Sequence, residues 1–101
     1  MDKNKILNHL KSKKEFYKKE YGITTLGLYG SYARDEANEN SDVDIFYERD
    51  SNFELKSGFD FMFLDEEIAK ELNIKHVDFV KLDSMNPIIK HYAQKDFIYV
   101  R

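Results

Sequence analysis

Apolar positions in the first twenty residues recur at helical spacing. Ile6, Leu10, Tyr17 and Tyr21 keep a three-to-four-residue rhythm, with lysines on the other faces. This predicts a helix over residues 3–20, ended by Gly22 as its C-terminal cap. The run ITTLGLY, residues 23–29, is β-rich and reads as a first strand. Gly30-Ser31 breaks it, and SYARDEA restarts as a short helix with Ser31 as candidate N-cap. ANENS is loop chemistry, and DVDIFYE, residues 42–48, predicts a second strand. RDSN is a turn, and FELKSGF reads either as a short edge strand or as a loop. Leu64, Ile68 and Leu72 share one face of a helix expected over 60–72, with Asp65, Glu66 and Glu67 outward. IKHVDFVKL, residues 74–82, is the third strand. Its alternation sets Val77, Phe79 and Lys81 on one face and His76, Asp78 and Val80 on the other. A last helix starts near Asn86-Pro87, where proline suits the first turn, and FIYV reads as a closing strand. With no repeat, low-complexity run or linker, this order predicts one domain over 1–101, a sheet covered by helices.

Composition narrows the functional classes. The chain has 101 residues, 42% hydrophobic and 15% aromatic, which favours one folded core over a disordered segment. With no cysteine, neither a disulfide framework nor a thiolate metal site is open to it. No apolar run approaches the roughly 20 residues of a membrane span, and the charged N-terminus has no apolar signal segment. A cytoplasmic location is the expectation. Residues 1–20 carry seven lysines against Asp2, Glu15 and Glu20, a balance of +4; the overall charge is −3, so the remainder carries −7. The basic segment reads first as the solvated face of a helix. The net acidic balance and the lack of a recognisable nucleic-acid module argue against direct nucleic-acid binding.

The chemistry gathers around GLYGSYARDEANENSDVDIFYE, residues 27–48. Residues i and i+2 of a strand project from one face, so Asp42 and Asp44 point the same way. Carboxylates that close repel when ionised, and a divalent cation relieves the repulsion. Asp78 is a similar anomaly, an aspartate inside the apolar VDFV. If the third strand lies beside the second, it adds a third carboxylate, enough to hold two metal ions for in-line displacement at phosphorus. Upstream, the Gly30-Ser31 turn offers backbone N–H groups, close approach and a hydroxyl to a phosphate. Arg34, one turn later, could reach a terminal phosphate or a carboxylate. The inventory suits nucleotidyl transfer from a triphosphate.

Gly30-Ser31, ten residues, then Asp42-Val43-Asp44 resembles the G-S-x10-D-x-D signature of the DNA polymerase β-like nucleotidyltransferase superfamily. The fuller run, with its Ala33-Arg34 and Ser41-Asp42 flanks, is similar to the minimal nucleotidyltransferase (MNT) branch. The acidic helix leading into VDFV, the segment NPIIKHYAQKDFIYV and the length extend the likeness over nearly the whole chain. The resemblance implies an α+β, two-layer polymerase β-like fold, a small mixed sheet flanked by helices. It implies that Asp42, Asp44 and Asp78 bind Mg²⁺, two ions in all, with Asp78 also assisting the acceptor hydroxyl. Gly30 and Ser31 would hold the triphosphate of ATP, with Arg34 beside them. Family members of this size are commonly antitoxins that transfer AMP to a tyrosine of a HEPN-domain RNase partner. One departure is Asp35-Glu36, where many relatives have a glycine.

Other readings stay beside this one. The site could serve a small-molecule acceptor, or be the remnant of a binding-only antitoxin. Asn38, Asn40 and Asp42 have the opening spacing of a calcium loop, but Val43 and Arg49 fall where that loop needs glycine and glutamate. His9, His76 and His91 lack zinc spacing and are expected in surface or packing roles. Tyr32 and Tyr47 lie close enough to the motif to line a pocket.

Overall fold

The computed structural model describes residues 1–101. Helix α1, Lys3–Tyr21, is capped at its start by the Asp2 carboxylate, which accepts from Lys5 N–H. It ends at Gly22, whose left-handed φ of 70° lets its N–H reach back to the last turn. Strand β1, Ile23–Tyr29, leads into a single helical turn, α2, Gly30–Ala33. Strand β2 is Val43–Arg49. Next come α3, Gly58–Met62, and α4, Leu64–Leu72, followed by β3, Val77–Lys81. A 3-10 turn (Leu82–Ser84), helix α5 (Pro87–Ala93), a second 3-10 turn (Gln94–Asp96) and strand β4 (Ile98–Tyr99) complete the chain.

The four strands form one mixed sheet in the order β3-β2-β1-β4. β1 pairs antiparallel with both β2 and β4, whereas β2 and β3 run parallel. Alternation along the strands divides the apolar side chains between two unequal layers. The larger cluster, 17 buried residues, joins Leu26, Leu28, Val43, Ile45 and Val77 to α1 and α4. Glu71 ties those two helices together at the surface, hydrogen-bonded to His9 (3.0 Å) and ion-paired with Lys13 (3.2 Å). The smaller cluster, Phe46, Leu82 and Met85, lies on the other face and is flanked by Tyr29, Val80 and Phe97. Gly27 makes that face possible: an added Cβ would strike the Phe46 ring and the Ile98 carbonyl.

Several expected boundaries shift. The helix expected over 60–72 is two helices, broken at Phe63, whose backbone (φ −104°, ψ 13°) leaves the helical region. The first begins earlier, at Gly58, because the Ser57 hydroxyl accepts from Asp60 N–H. FELKSGF is a loop up to that cap, with Leu55 packed on the larger cluster. The third strand is shorter than 74–82; Ile74 instead closes α4 by bonding back to the Ala69 carbonyl, while Leu82 opens a 3-10 turn. Ser31 is not an N-cap. Extended Tyr29 precedes the turn, and Ser31 sits inside it. The Asp35 departure also has a backbone reason: its φ is 59°, a left-handed value that glycine adopts freely and aspartate tolerates. Its carboxylate holds Lys3 at 2.9 Å.

Candidate active site

Parallel pairing of β2 with β3 sets Asp44 directly across from Asp78, on the face of the smaller cluster. The Val43 N–H donates to the His76 carbonyl at 3.3 Å, which extends the pairing one step before the strands. Asp42 therefore comes level with His76. Oxygens of Asp42 and Asp78 and a ring nitrogen of His76 all lie within 4.8 Å of one another. The three aspartates singled out by the sequence are thus neighbours, although Asp42 sits just outside the strand, exposed at its entrance.

Gly30 closes the site from the β1 side. Its φ of 77° is left-handed, and a Cβ there would land on the Asp44 Oδ2. Only glycine lets the α2 turn sit this close to the carboxylate. Ser31 follows within that turn, and its carbonyl accepts from Glu36 N–H. Arg34 ends the turn and is held by two carboxylates, Glu36 at 3.0 Å and Asp96 at 2.9 Å. Those bonds raise its pKa further, so its charge is permanent.

Electrostatic crowding is greatest at Asp44. Burial, a hydrogen bond shared with Asp78 and the charges of Asp78 and Asp42 push its carboxyl up from 3.8 to about 6, with Arg34 opposing weakly. His76 Nε2 meets Asp78 Oδ1 at 2.9 Å, and this contact raises the imidazole pKa. Tyr29 faces Asp44 across the β1–β2 ladder; burial and then the Asp44 and Asp78 charges push its phenol up to about 12. The chain itself leaves the three-carboxylate charge poorly compensated. Such an oxygen-rich, partly solvated group fits a divalent cation.

A cleft of about 460 Å³ opens beside this group, lined by Tyr29, Gly30, Arg34, Ile89, Tyr92 and Lys95. A hollow of about 490 Å³ lies between α1, α3 and α4, lined by Phe16, Phe59 and Phe63 with Asp60, Glu66 and Glu67, and touches none of Asp42, Asp44 and Asp78. The first adjoins the carboxylates and is the relevant one. Tyr32 and Tyr47 are buried in the larger cluster, on the opposite face of the sheet from the aspartates. His9 pairs with Glu71, and His91 lies against Tyr92. His76 is the residue that the sequence reading missed as a site member. The i, i+2 rule that joined Asp42 to Asp44 applies equally to His76 and Asp78, and would have found it.

Comparison with known proteins agrees with this geometry. Residues 9–100 match the family model described as a nucleotidyltransferase domain. A Methanocaldococcus jannaschii protein named as a protein adenylyltransferase is 37% identical over 98 residues, covering 96% of both chains. Protein adenylyltransferase MntA of Thermococcus cleftensis is 32% identical over 91 residues, covering 90% of this chain and 88% of that one. A solved minimal nucleotidyltransferase superposes with TM-score 0.74 at 21% identity, over 97% of this chain and 95% of that one. A crystal structure of a toxin–antitoxin with AMP-PNP gives TM-score 0.68 at 21% identity, over 100% of this chain and 73% of that one.

Proposed function

The chain belongs to the nucleotidyltransferase-domain family and is a nucleotidyltransferase; from that premise we propose that it is a minimal member that moves AMP from ATP onto a tyrosine hydroxyl of a HEPN-domain toxin and so acts as an antitoxin. The observation that carries the reading is the pairing of Asp44 with Asp78 under the left-handed Gly30 turn. Relatives named as protein adenylyltransferases support the AMP transfer. The toxin–antitoxin with AMP-PNP supports a toxin partner and an adenine nucleotide. We assign the reaction to the cytoplasm as part of this reading. Separately, no helix of the chain is long and apolar enough to cross a membrane.

In this reading Asp42, Asp44 and Asp78 would hold two Mg²⁺ ions, which would supply charge neutralisation at the phosphates and activation of the acceptor oxygen. Gly30 and Ser31 offer backbone N–H groups and a hydroxyl to the β and γ phosphates. Arg34, paired with Glu36 and Asp96 in the free chain, would offer its guanidinium to a terminal phosphate by exchanging one of those carboxylates for it. The nucleoside takes the adjoining cleft, whose volume lies in the range of small-molecule pockets and whose Ile88, Ile89 and Tyr92 wall suits a base. The acceptor oxygen attacks the α-phosphorus in line. The new O–P bond forms, the bond to the β-phosphate oxygen breaks, and pyrophosphate leaves. Asp78, the third carboxylate, would assist by accepting the hydroxyl proton. Positioning and charge stabilisation supply most of the barrier reduction.

The test is to co-purify the chain with the product of its neighbouring gene, add Mg²⁺ and ATP, and weigh the partner by intact mass spectrometry. Mass gains in steps of AMP on a tyrosine, absent with Asp44→Asn, are the expected outcome. A tight complex without mass gain in either protein would instead make this a binding-only antitoxin.

A further inference from the structure

Four side chains with metal-binding chemistry stand on one face of the β2–β3 pair in two facing rows: Asp42 with His76, then Asp44 with Asp78. We propose that His76 is a ligand of the metal centre, giving an imidazole nitrogen to an ion held between Asp42 and Asp78, so that this position takes a first-row transition-metal dication such as Mn²⁺ in preference to Mg²⁺. The inference rests on the proposed reading that these aspartates hold metal.

Position is the first argument. The His76 backbone is fixed, because its carbonyl accepts from the N–H of Val43, which stands between Asp42 and Asp44. Its side chain is 56% exposed yet turned to Asp78, with Nε2 at 2.9 Å from Oδ1. Donor atoms of Asp42, His76 and Asp78 lie within 4.8 Å. Donors around an ion with ligands at about 2.1 Å stand roughly 3–4 Å apart, a spacing that exposed side chains reach by small rotations. Nothing else in the structure competes for the ring, since Asp78 is its one hydrogen-bond partner.

Ligand chemistry is the second argument. Mg²⁺ keeps hard oxygen ligands and several waters, and gains little from a nitrogen. Imidazole suits the transition-metal dications, and carboxylate with imidazole is a donor set that Mn²⁺ accepts. Two carboxylates and one imidazole therefore shift selectivity away from Mg²⁺ at this one position, and the Asp44 side of the site stays all-oxygen.

Electron spin-echo modulation spectroscopy of the protein loaded with MnCl₂ tests the proposal directly, together with calorimetric titration of MnCl₂ and MgCl₂. Directly bound ¹⁴N modulation is expected in the wild type and not in His76→Ala. Mn²⁺ affinity should fall by about tenfold in that variant, with Mg²⁺ affinity changing by less than about twofold. His76→Gln, which keeps a donor to Asp78, separates a ligand from a prop. If Gln retains full Mn²⁺ affinity, or if the wild type shows no bound nitrogen, the ligand role is overturned. Loss of all metal binding in Asp42→Asn alongside unchanged His76 variants would overturn this inference but leave the carboxylate reading standing. Metal binding indifferent to both Asp42→Asn and Asp44→Asn would remove the two together.

Discussion

Asp44 carries the conflict on which the site depends. Its carboxyl is pushed from 3.8 to about 6 by burial and by Asp78 and Asp42. Between those two values the folded chain holds a proton that the unfolded chain releases. The group's contribution to stability is therefore fully present below about pH 4 and lost as pH rises through 6. The two-unit shift corresponds to about 3 kcal/mol, which solvent screening of a half-exposed group reduces to about 1–2 kcal/mol. With metal removed by chelator, Asp44→Asn should be more stable than wild type by that amount at pH 7 and equal to it near pH 4. Denaturant melts at the two pH values check this, and a variant less stable than wild type at pH 7 would refute it. Gly30 is the second conflict. Ala or Asn there should both cost about 1–3 kcal/mol, because the added Cβ meets Asp44 whatever the side chain's tolerance of positive φ. ATP binding in Mg²⁺, measured by calorimetry, should fall in both. Asp35, also left-handed but free of such a contact, should accept glycine at the loss of only its exposed pair with Lys3.

Elements differ in how far their boundaries could be read from the chain. Helix α1 was legible because its apolar rhythm and Gly22 agree with one another, whereas the Asp2 cap at its start was not read from the chain. The Asp44–Asp78 pairing was legible only conditionally, since alternation says which face a residue takes but not which strand lies beside it. The break between α3 and α4 was hidden: Leu64, Ile68 and Leu72 define a face for α4 alone, and Phe59 and Met62 of α3 are exposed. Arg34 was visible as a cation, but its clamp by Asp96 joins residues 62 positions apart. Within α1, Tyr17 buries a hydroxyl that finds no hydrogen-bond partner, and burial followed by the charges of Glu71 and Glu67 raises its pKa far above the usual phenol value. Removing that oxygen removes an unsatisfied polar atom and keeps the ring. Tyr17→Phe should therefore be neutral or stabilising by about 1 kcal/mol in chemical denaturation. A loss of more than about 1 kcal/mol would mean that the hydroxyl has a partner in solution.

Across the whole molecule, the sheet divides stability from function. One face is covered by α1 and α4 over 17 buried residues, and the other by a three-residue cluster with Tyr29, Val80 and Phe97 at its margin. The aspartates stand on the thinly covered face, which leaves room for a nucleotide and an acceptor but gives the site few supports. Phe97 is the main one: it stacks on Phe46 at 4.3 Å and meets edge-on, at 5.8 Å, the ring of Tyr29, which pairs with Asp44 across the β1–β2 ladder. Leu10, fully buried in the thick layer, touches none of this. Leu10→Ala should cost about 2–5 kcal/mol through cavity formation and leave ATP binding by the still-folded protein unchanged. Phe97→Ala should cost less stability, because the ring is partly exposed, and yet weaken ATP binding as Tyr29 and Phe46 lose their support. Denaturant unfolding and calorimetric ATP titration on the same two variants measure both quantities. If the larger stability loss also brought the larger binding loss, the two layers would be mechanically one, and the thin face would not be the part of the fold that sets the site.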